Sequence, residues 1–208
     1  MHIAEGILPA PILIGGAAIA AVAVGIGLRK LDEETFVKTS VLTSAFFVAS
    51  LIHVPLPPTS VHLVLNGLTG LLLGWAVFPA VAVGLLLQAV LFGFGGLTTL
   101  GVNTLVMALP GFVCHVLFFR LIQSGTHRRA IMLGFVAGAG AIAIAALSQA
   151  IVLMTAGRAF LYIAGYILAA HVPVMIIEGF VTASAVGFLH RVRPETFASP
   201  IAKSPVEA

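Results

Sequence analysis

Charged residues are scarce in this chain. Only 8% of its 208 residues are Asp, Glu, Lys or Arg, whereas 60% are hydrophobic. Soluble domains carry roughly a quarter charged residues, so this chain cannot cover a surface that faces water. Each membrane-spanning helix needs about 20 apolar residues. The length therefore allows six or seven spans, and the composition predicts an integral membrane protein without a separate soluble domain.

Cysteine and catalytic motifs are also lacking. The single cysteine, Cys114, excludes an internal disulfide and any cysteine-rich metal site. The chain has no phosphate-binding loop with a GK dipeptide, no HExxH and no GxSxG, and no nucleophile–base pair stands out. We therefore predict that the chain is not an enzyme. Any ATP-hydrolysing power source must lie on another chain.

Long apolar runs separated by short polar segments predict an all-α, polytopic membrane bundle of about seven transmembrane helices. The predicted spans are residues 9–28, 37–52, 63–77, 80–92, 102–121, 130–155 and 162–189. Phe78-Pro79 is interpreted as a tight return between the third and fourth spans, and the prolines of 53–62 as breaking helix. Residues 1–190 are predicted to form one transmembrane domain, and 191–208 are predicted to be a disordered cytoplasmic tail.

The distribution of Lys and Arg predicts the orientation in the membrane. With the N-terminus outside, only Arg158 lies on the outer side. The cytoplasmic segments then contain Arg29, Lys30, Lys38, Arg120, Arg128, Arg129, Arg191, Arg193 and Lys203. Basic cytoplasmic loops thus explain the excess of Lys and Arg, and no nucleic-acid partner is needed to account for it. The chain is predicted to be a multi-pass protein of the cell (inner) membrane. The N-terminus, the 53–62 loop and the glycine-rich 93–101 loop share the outer face.

Histidines on that outer face are candidate metal ligands. The α-amine of Met1, the backbone nitrogen of His2 and the His2 ring can close a five-membered and a six-membered chelate ring on one ion, unless His2 is an accidental second residue. A planar nitrogen set of this kind is typical of Ni(II) or Cu(II). A second histidine would fill the remaining equatorial position. His62 is the better candidate and His53 the weaker one, since His53 lies at the end of a span.

Several polar residues could support such ligands. Thr59-Ser60 could supply hydrogen bonds beside His62. Asn103 could orient a ligand or form a helix–helix hydrogen bond, and Glu5 could bind loop amides or face water. Glu178 follows His171 by seven residues, so both can face one side of a helix, although no partner for Glu178 is identifiable.

The chain resembles a known family in three places. These are Met1-His2-Ile3-x-Glu5-Gly6-x-Leu8-Pro9, a histidine in the loop after the second span, and Gly95-Gly96-Leu97-Thr98-Thr99-Leu100-Gly101-x-Asn103. Together they resemble the substrate-binding membrane subunit (S component, CbiM/NikM family) of nickel/cobalt energy-coupling-factor (ECF) transporters. One departure is that many members have Pro-Thr-Gly after the loop histidine, where this chain continues Leu63-Val64.

The resemblance implies a seven-helix bundle whose N-terminus is inserted toward the core. It implies metal ligands at Met1, His2 and His62. The residues predicted above to support such ligands are Ser60, Asn103, Glu5 and His53. The resemblance also implies capture and transport of Ni2+ or Co2+ together with a transmembrane coupling subunit, ATPase subunits and an optional further small membrane subunit. Two alternatives stay open: a capture subunit for an organic vitamin, and a ligand-free membrane scaffold.

Overall fold

The computed structural model describes residues 2–56, 59–157 and 160–197, which form seven α-helices and one short β-hairpin. In chain order these are α1 (Ala10–Arg29), α2 (Glu33–Ala49), β1 (His53–Leu56), β2 (Thr59–His62), α3 (Asn66–Leu73), α4 (Val77–Phe92), α5 (Leu100–Gln123), α6 (His127–Met154) and α7 (Phe160–Val192). Short 3-10 turns occupy Gly74–Ala76 and Pro194–Phe197. The predicted helical membrane bundle is confirmed.

The helices present apolar side chains on their outer surface as well as inside. Ile14, Val90 and Phe188, for example, are 69%, 66% and 63% exposed, which suits contact with lipid rather than water. Five helical runs are long and apolar enough to cross a membrane: Ala10–Arg29, Asn66–Phe92, Leu100–Gln123, His127–Met154 and Phe160–Val192. The protein is therefore a multi-pass membrane protein.

The helical run 66–92 reverses its direction between α3 and α4. Its first part, α3, lies at the centre of the bundle. Every residue of α3 is buried. Gly70 packs directly on Gly111 of α5. A side-chain carbon added to Gly74 would lie 3.0 Å from the His115 ring. Residues further along α3 contact residues further along α5, so the two helices run parallel. The glycines are needed because only they let the two backbones approach so closely.

The second half, α4, runs the opposite way. Phe78 at its start packs on Phe112 of α5, with ring centroids 5.7 Å apart, and Gln88 near its end reaches back to His2. The reversal occurs at Gly74, whose φ of +55° favours glycine. The predicted return at Phe78-Pro79 is wrong by four residues. Pro79 lies in the first turn of α4, where its missing N–H has no helical partner to lose.

The two ends of the bundle differ in chemistry. We call the end that holds residues 2–9, the hairpin and residues 93–99 the N-terminal face, and the opposite end the basic face. Every described Lys and Arg lies at the basic face, on or beside a helix end. Lys38 donates to the carbonyl of Thr196 there, and the buried Phe197 packs on Phe119. The rest of the predicted tail, 198–208, lies outside the described residues.

The hairpin links α2 to α3 at the N-terminal face. Its strands are antiparallel, with His53 opposite His62 and Pro55 opposite Ser60. Pro55 lies in a strand and outside any helix, as predicted, and the described residues on the two sides of the loop pair with each other. Pro57 and Pro58 lie outside the described residues. Strand pairing places His62 at the end of β2, where it turns inward and is only 7% exposed.

Candidate metal centre

His2 lies at the middle of the N-terminal face, against α4. Its Nε2 is 2.6 Å from Oε1 of Gln88, a residue that is fully buried in the last turn of α4. Gly95 passes close to the ring, since a side-chain carbon at Gly95 would come within 3.5 Å of it. Loss of surrounding water lowers the pKa of His2 to about 3. The imidazole is therefore neutral at physiological pH, which is the form that binds metal ions.

His62 approaches His2 from the hairpin. The two rings are stacked, with centroids 5.0 Å apart and planes inclined by 26°. Nδ1 of His62 donates to the carbonyl of Leu63 at 2.8 Å, so in the neutral ring the lone pair lies on Nε2. Burial lowers the pKa of His62 well below its usual value. Both rings are thus held close together and uncharged.

The spacing of these rings suits a shared ion. A metal–nitrogen bond of about 2 Å places each ring centroid roughly 3 Å from the ion, so two ligands at right angles have centroids roughly 4 to 5 Å apart. The observed 5.0 Å agrees with this value. Among the described residues, no group of three or more His, Cys, Asp or Glu could hold an ion.

The segment that follows His2 is anchored by Asn103 of α5. Its Oδ1 accepts from the Ile3 N–H at 3.0 Å, and its Nδ2 donates to the Ile3 carbonyl at 3.1 Å. Nδ2 also lies 3.2 Å from Oγ1 of Thr99. Ile3 itself is 1% exposed and belongs to an apolar cluster with Leu8, Val102 and other residues. Asn103 therefore fixes the backbone next to His2.

Glu5 anchors the same segment further along. Its Oε1 accepts from the backbone N–H of Thr98 at 3.0 Å and from the Thr98 hydroxyl at 3.2 Å. The backbone donor lowers the pKa of the Glu5 carboxyl. The Glu5 side chain also covers Gly96 so closely that a larger residue could not fit there. Glu5 thus ties the N-terminal segment to the 93–99 loop.

Glu178 of α7 supports the other side of the centre. This fully buried carboxylate accepts from the backbone N–H groups of Val64 and Leu65, the latter at 2.8 Å. Leu65 has a φ of +54°, the only positive value for a non-glycine residue in the described part of the chain. Its left-handed backbone, held by Glu178, turns the chain from the His62 hairpin into α3. His171, two turns earlier on α7, is 3% exposed and donates from Nδ1 to the Ile167 carbonyl.

Some predicted residues fall outside what can be described. Met1 lies outside the described residues, and so do the side chains of His53 and Ser60. Of the predicted set, the structure brings His2, His62, Asn103 and Glu5 to the N-terminal face. Sequence reasoning assigned no role to Gln88. Its partner, His2, lies 86 residues earlier in the sequence, so no local pattern links the two residues.

Comparisons with known proteins agree with this architecture. The model of the family described as cobalt uptake substrate-specific transmembrane region, CbiM, matches residues 2–196. A Haemophilus influenzae relative whose name assigns it to metal transport is 41% identical over 199 residues, covering 94% of this chain and 96% of the relative. The fused nickel transport protein NikMN of Rhodobacter capsulatus is 35% identical, covering 95% of this chain but only 64% of the relative.

A crystal structure of a transition metal transporter is similar over nearly its whole length. It has a TM-score of 0.78 and 26% sequence identity, with 92% of this chain and 93% of that chain covered. The family match extends over nearly all of the described residues, including both histidines of the candidate centre. This chain belongs to the CbiM family of cobalt and nickel uptake proteins, and it is the metal transport subunit that the resemblance implied.

Proposed function

We propose that this chain captures Ni2+ or Co2+ at its N-terminal face through the Met1 α-amine, the His2 backbone nitrogen, the His2 ring and the His62 ring. The observation that carries the proposal is the pairing of two neutral imidazoles at 5.0 Å. The Met1 amine, the His2 amide and Nδ1 of the His2 ring would supply three nitrogens in one plane, and Nε2 of His62 the fourth. Such a planar set favours nickel over ions that prefer tetrahedral or octahedral ligands.

The proposed orientation follows from the basic face. Because Lys and Arg concentrate on the cytoplasmic side of membrane proteins, the N-terminal face is outside and the ion is bound from there. Capture alone does not move an ion inward against a gradient. We therefore propose a transmembrane coupling subunit and ATPase subunits as partners. The NikMN relative supports the presence of further subunits, since this chain accounts for only 64% of its length.

The proposal is tested by nickel and cobalt titration calorimetry on the purified protein. His2→Ala removes the ring ligand, and one residue added before Met1 moves the α-amine away from the ion, so both changes should abolish tight binding. His127→Ala changes an exposed histidine at the basic face and should leave affinity unchanged. Wild-type nickel affinity in either N-terminal variant would refute the ligand set.

A further inference from the structure

The hydrogen bond between Gln88 and His2 decides which nitrogen of the His2 ring is available. The Gln88 amide presents its carbonyl oxygen to the ring, and because this oxygen cannot donate, this orientation assigns the hydrogen to Nε2 of His2. A neutral imidazole has one N–H and one lone pair. With the hydrogen on Nε2, the lone pair lies on Nδ1.

Nδ1 is also the only ring nitrogen that the proposed chelate can use. A metal bound to the His2 backbone nitrogen closes a six-membered ring through Cα, Cβ, Cγ and Nδ1. Nε2 lies on the far side of the imidazole, and its lone pair points away from the backbone nitrogen. The tautomer that Gln88 stabilises is therefore the tautomer that the metal centre requires.

The backbone of Gln88 is fixed by the end of α4. It is fully buried in α4, and the end of that helix is closed by Gly93 with a φ of +68°. In this closure the N–H of Phe94 donates to the Gln88 carbonyl at 3.3 Å. The same turn places the Phe94 ring 6.0 Å from the His2 ring. One helix end thus fixes both the hydrogen-bond acceptor and an apolar neighbour of His2.

We propose that Gln88 is a positioning residue for metal capture, which holds the His2 ring in the Nε2–H tautomer and aims Nδ1 at the ion. This inference rests on the proposed function, because it takes His2 to be a ligand. Carboxylates and carbonyls that orient metal-binding histidines in this way change metal affinity by roughly 10-fold to 100-fold when removed. The amide of Gln88 performs that task without adding charge.

The test uses two substitutions of similar size. Gln88→Glu keeps an acceptor facing Nε2 and should retain nickel affinity within about 10-fold of wild type or bind nickel more tightly, whereas Gln88→Leu removes the acceptor and should weaken nickel binding by roughly 10-fold to 100-fold. Gln149→Leu removes the other buried glutamine of the described chain, in α6, and should have no comparable effect. Size-exclusion profiles in detergent show whether each variant is folded.

A spectroscopic readout separates positioning from a merely structural role. Ring 15N shifts of labelled His2 in the metal-free wild type should show the hydrogen on Nε2, and Gln88→Leu should lose this preference. Hydrogen on Nδ1 in the wild type, or wild-type nickel affinity in folded Gln88→Leu, would overturn the inference while leaving the proposed function intact. A wild type that binds neither nickel nor cobalt would instead refute the proposed function, and the role of Gln88 with it.

Discussion

Two hydrogen bonds between the Asn103 side chain and the backbone of Ile3 fix the residue that follows His2. Because Ile3 and Asn103 are both buried, water cannot replace these bonds if they are lost. An unsatisfied buried polar group costs about 1–3 kcal/mol. The placement of His2 therefore depends on a side chain 100 residues further along the chain.

We expect Asn103→Ala to weaken nickel binding roughly 10-fold or more, since the Ile3 N–H and carbonyl would be left without partners. Thr104→Val is the matched control. Thr104 is equally buried on the same helix, but its hydroxyl only donates to the Leu100 carbonyl of its own helix. Calorimetry on both variants checks the prediction, and equal affinities in the two would contradict it.

The protonation of His2 provides a second test at this scale. Burial lowers its pKa from 6.5 to about 3. The unfolded chain therefore binds more protons between these values, and the ring's contribution to folding stability is present above pH 6.5 and is lost as pH falls toward 3. In the folded, metal-free protein the ring should stay neutral at about pH 5. Ring NMR shifts of His2 that titrate with a midpoint near the usual histidine value would contradict this expectation.

At the level of single residues, the structure brings four of the predicted site residues to one face of the bundle, and their role in binding metal stays a prediction. His2, His62, Asn103 and Glu5 were all picked out, because histidines and buried polar groups are conspicuous in an apolar chain. The role of Gln88 was not predictable, since a glutamine inside a span has many possible partners. The partner of Glu178 was equally hidden, because backbone N–H groups such as that of Leu65 carry no sequence mark.

Among the secondary-structure elements, α7 is hydrogen-bonded through Glu178 to the segment that follows the His62 hairpin. Glu178 binds the two backbone N–H groups that precede α3, so α7, the hairpin and α3 are joined at one carboxylate. Leaving a buried backbone N–H without its acceptor costs about 1–3 kcal/mol. Any displacement of α7 would thus be transmitted to the segment that carries His62.

Glu178→Ala should lower both thermal stability and nickel affinity, the latter roughly 10-fold, because Val64 and Leu65 lose a buried acceptor. Glu178→Gln keeps a side-chain oxygen and should retain most of the affinity. Thr182→Val, one turn further on the same buried face of α7, serves as the control. Wild-type nickel affinity in the Glu178→Ala protein would show that α7 does not position the hairpin.

The same scale shows where sequence reasoning failed. The long apolar runs gave α1, α5, α6 and α7 to within a few residues, because length and hydropathy determine such helices. The return between α3 and α4 was placed at Phe78-Pro79, since proline is a strong helix breaker. The structure turns at Gly74 instead, because proline is tolerated in a first helical turn and the required left-handed backbone needs glycine.

For the whole molecule, bound metal should stabilise the bundle. The proposed centre joins the N-terminal segment, the hairpin and α4, so an ion held there resists unfolding of all three. Free nickel at about 100 times its Kd would add about 2.7 kcal/mol, and the Tm should rise by roughly 5 °C or more. Mg2+ should give no rise, and His2→Ala should abolish the nickel effect. An equal rise in His2→Ala would place the stabilising ion elsewhere.

The long-range contacts of His2 and Ile3 also bear on the order of assembly. Their partners, Gln88 and Asn103, follow 86 and 100 residues later. During synthesis, His2 and Ile3 can therefore form these contacts only after α4 and the start of α5 have been made. With the proposed ligand set, a chain that stops before α4 lacks both Gln88 and Asn103 and should bind nickel more weakly than the whole chain, so nickel capture would report that this part of the bundle is in place.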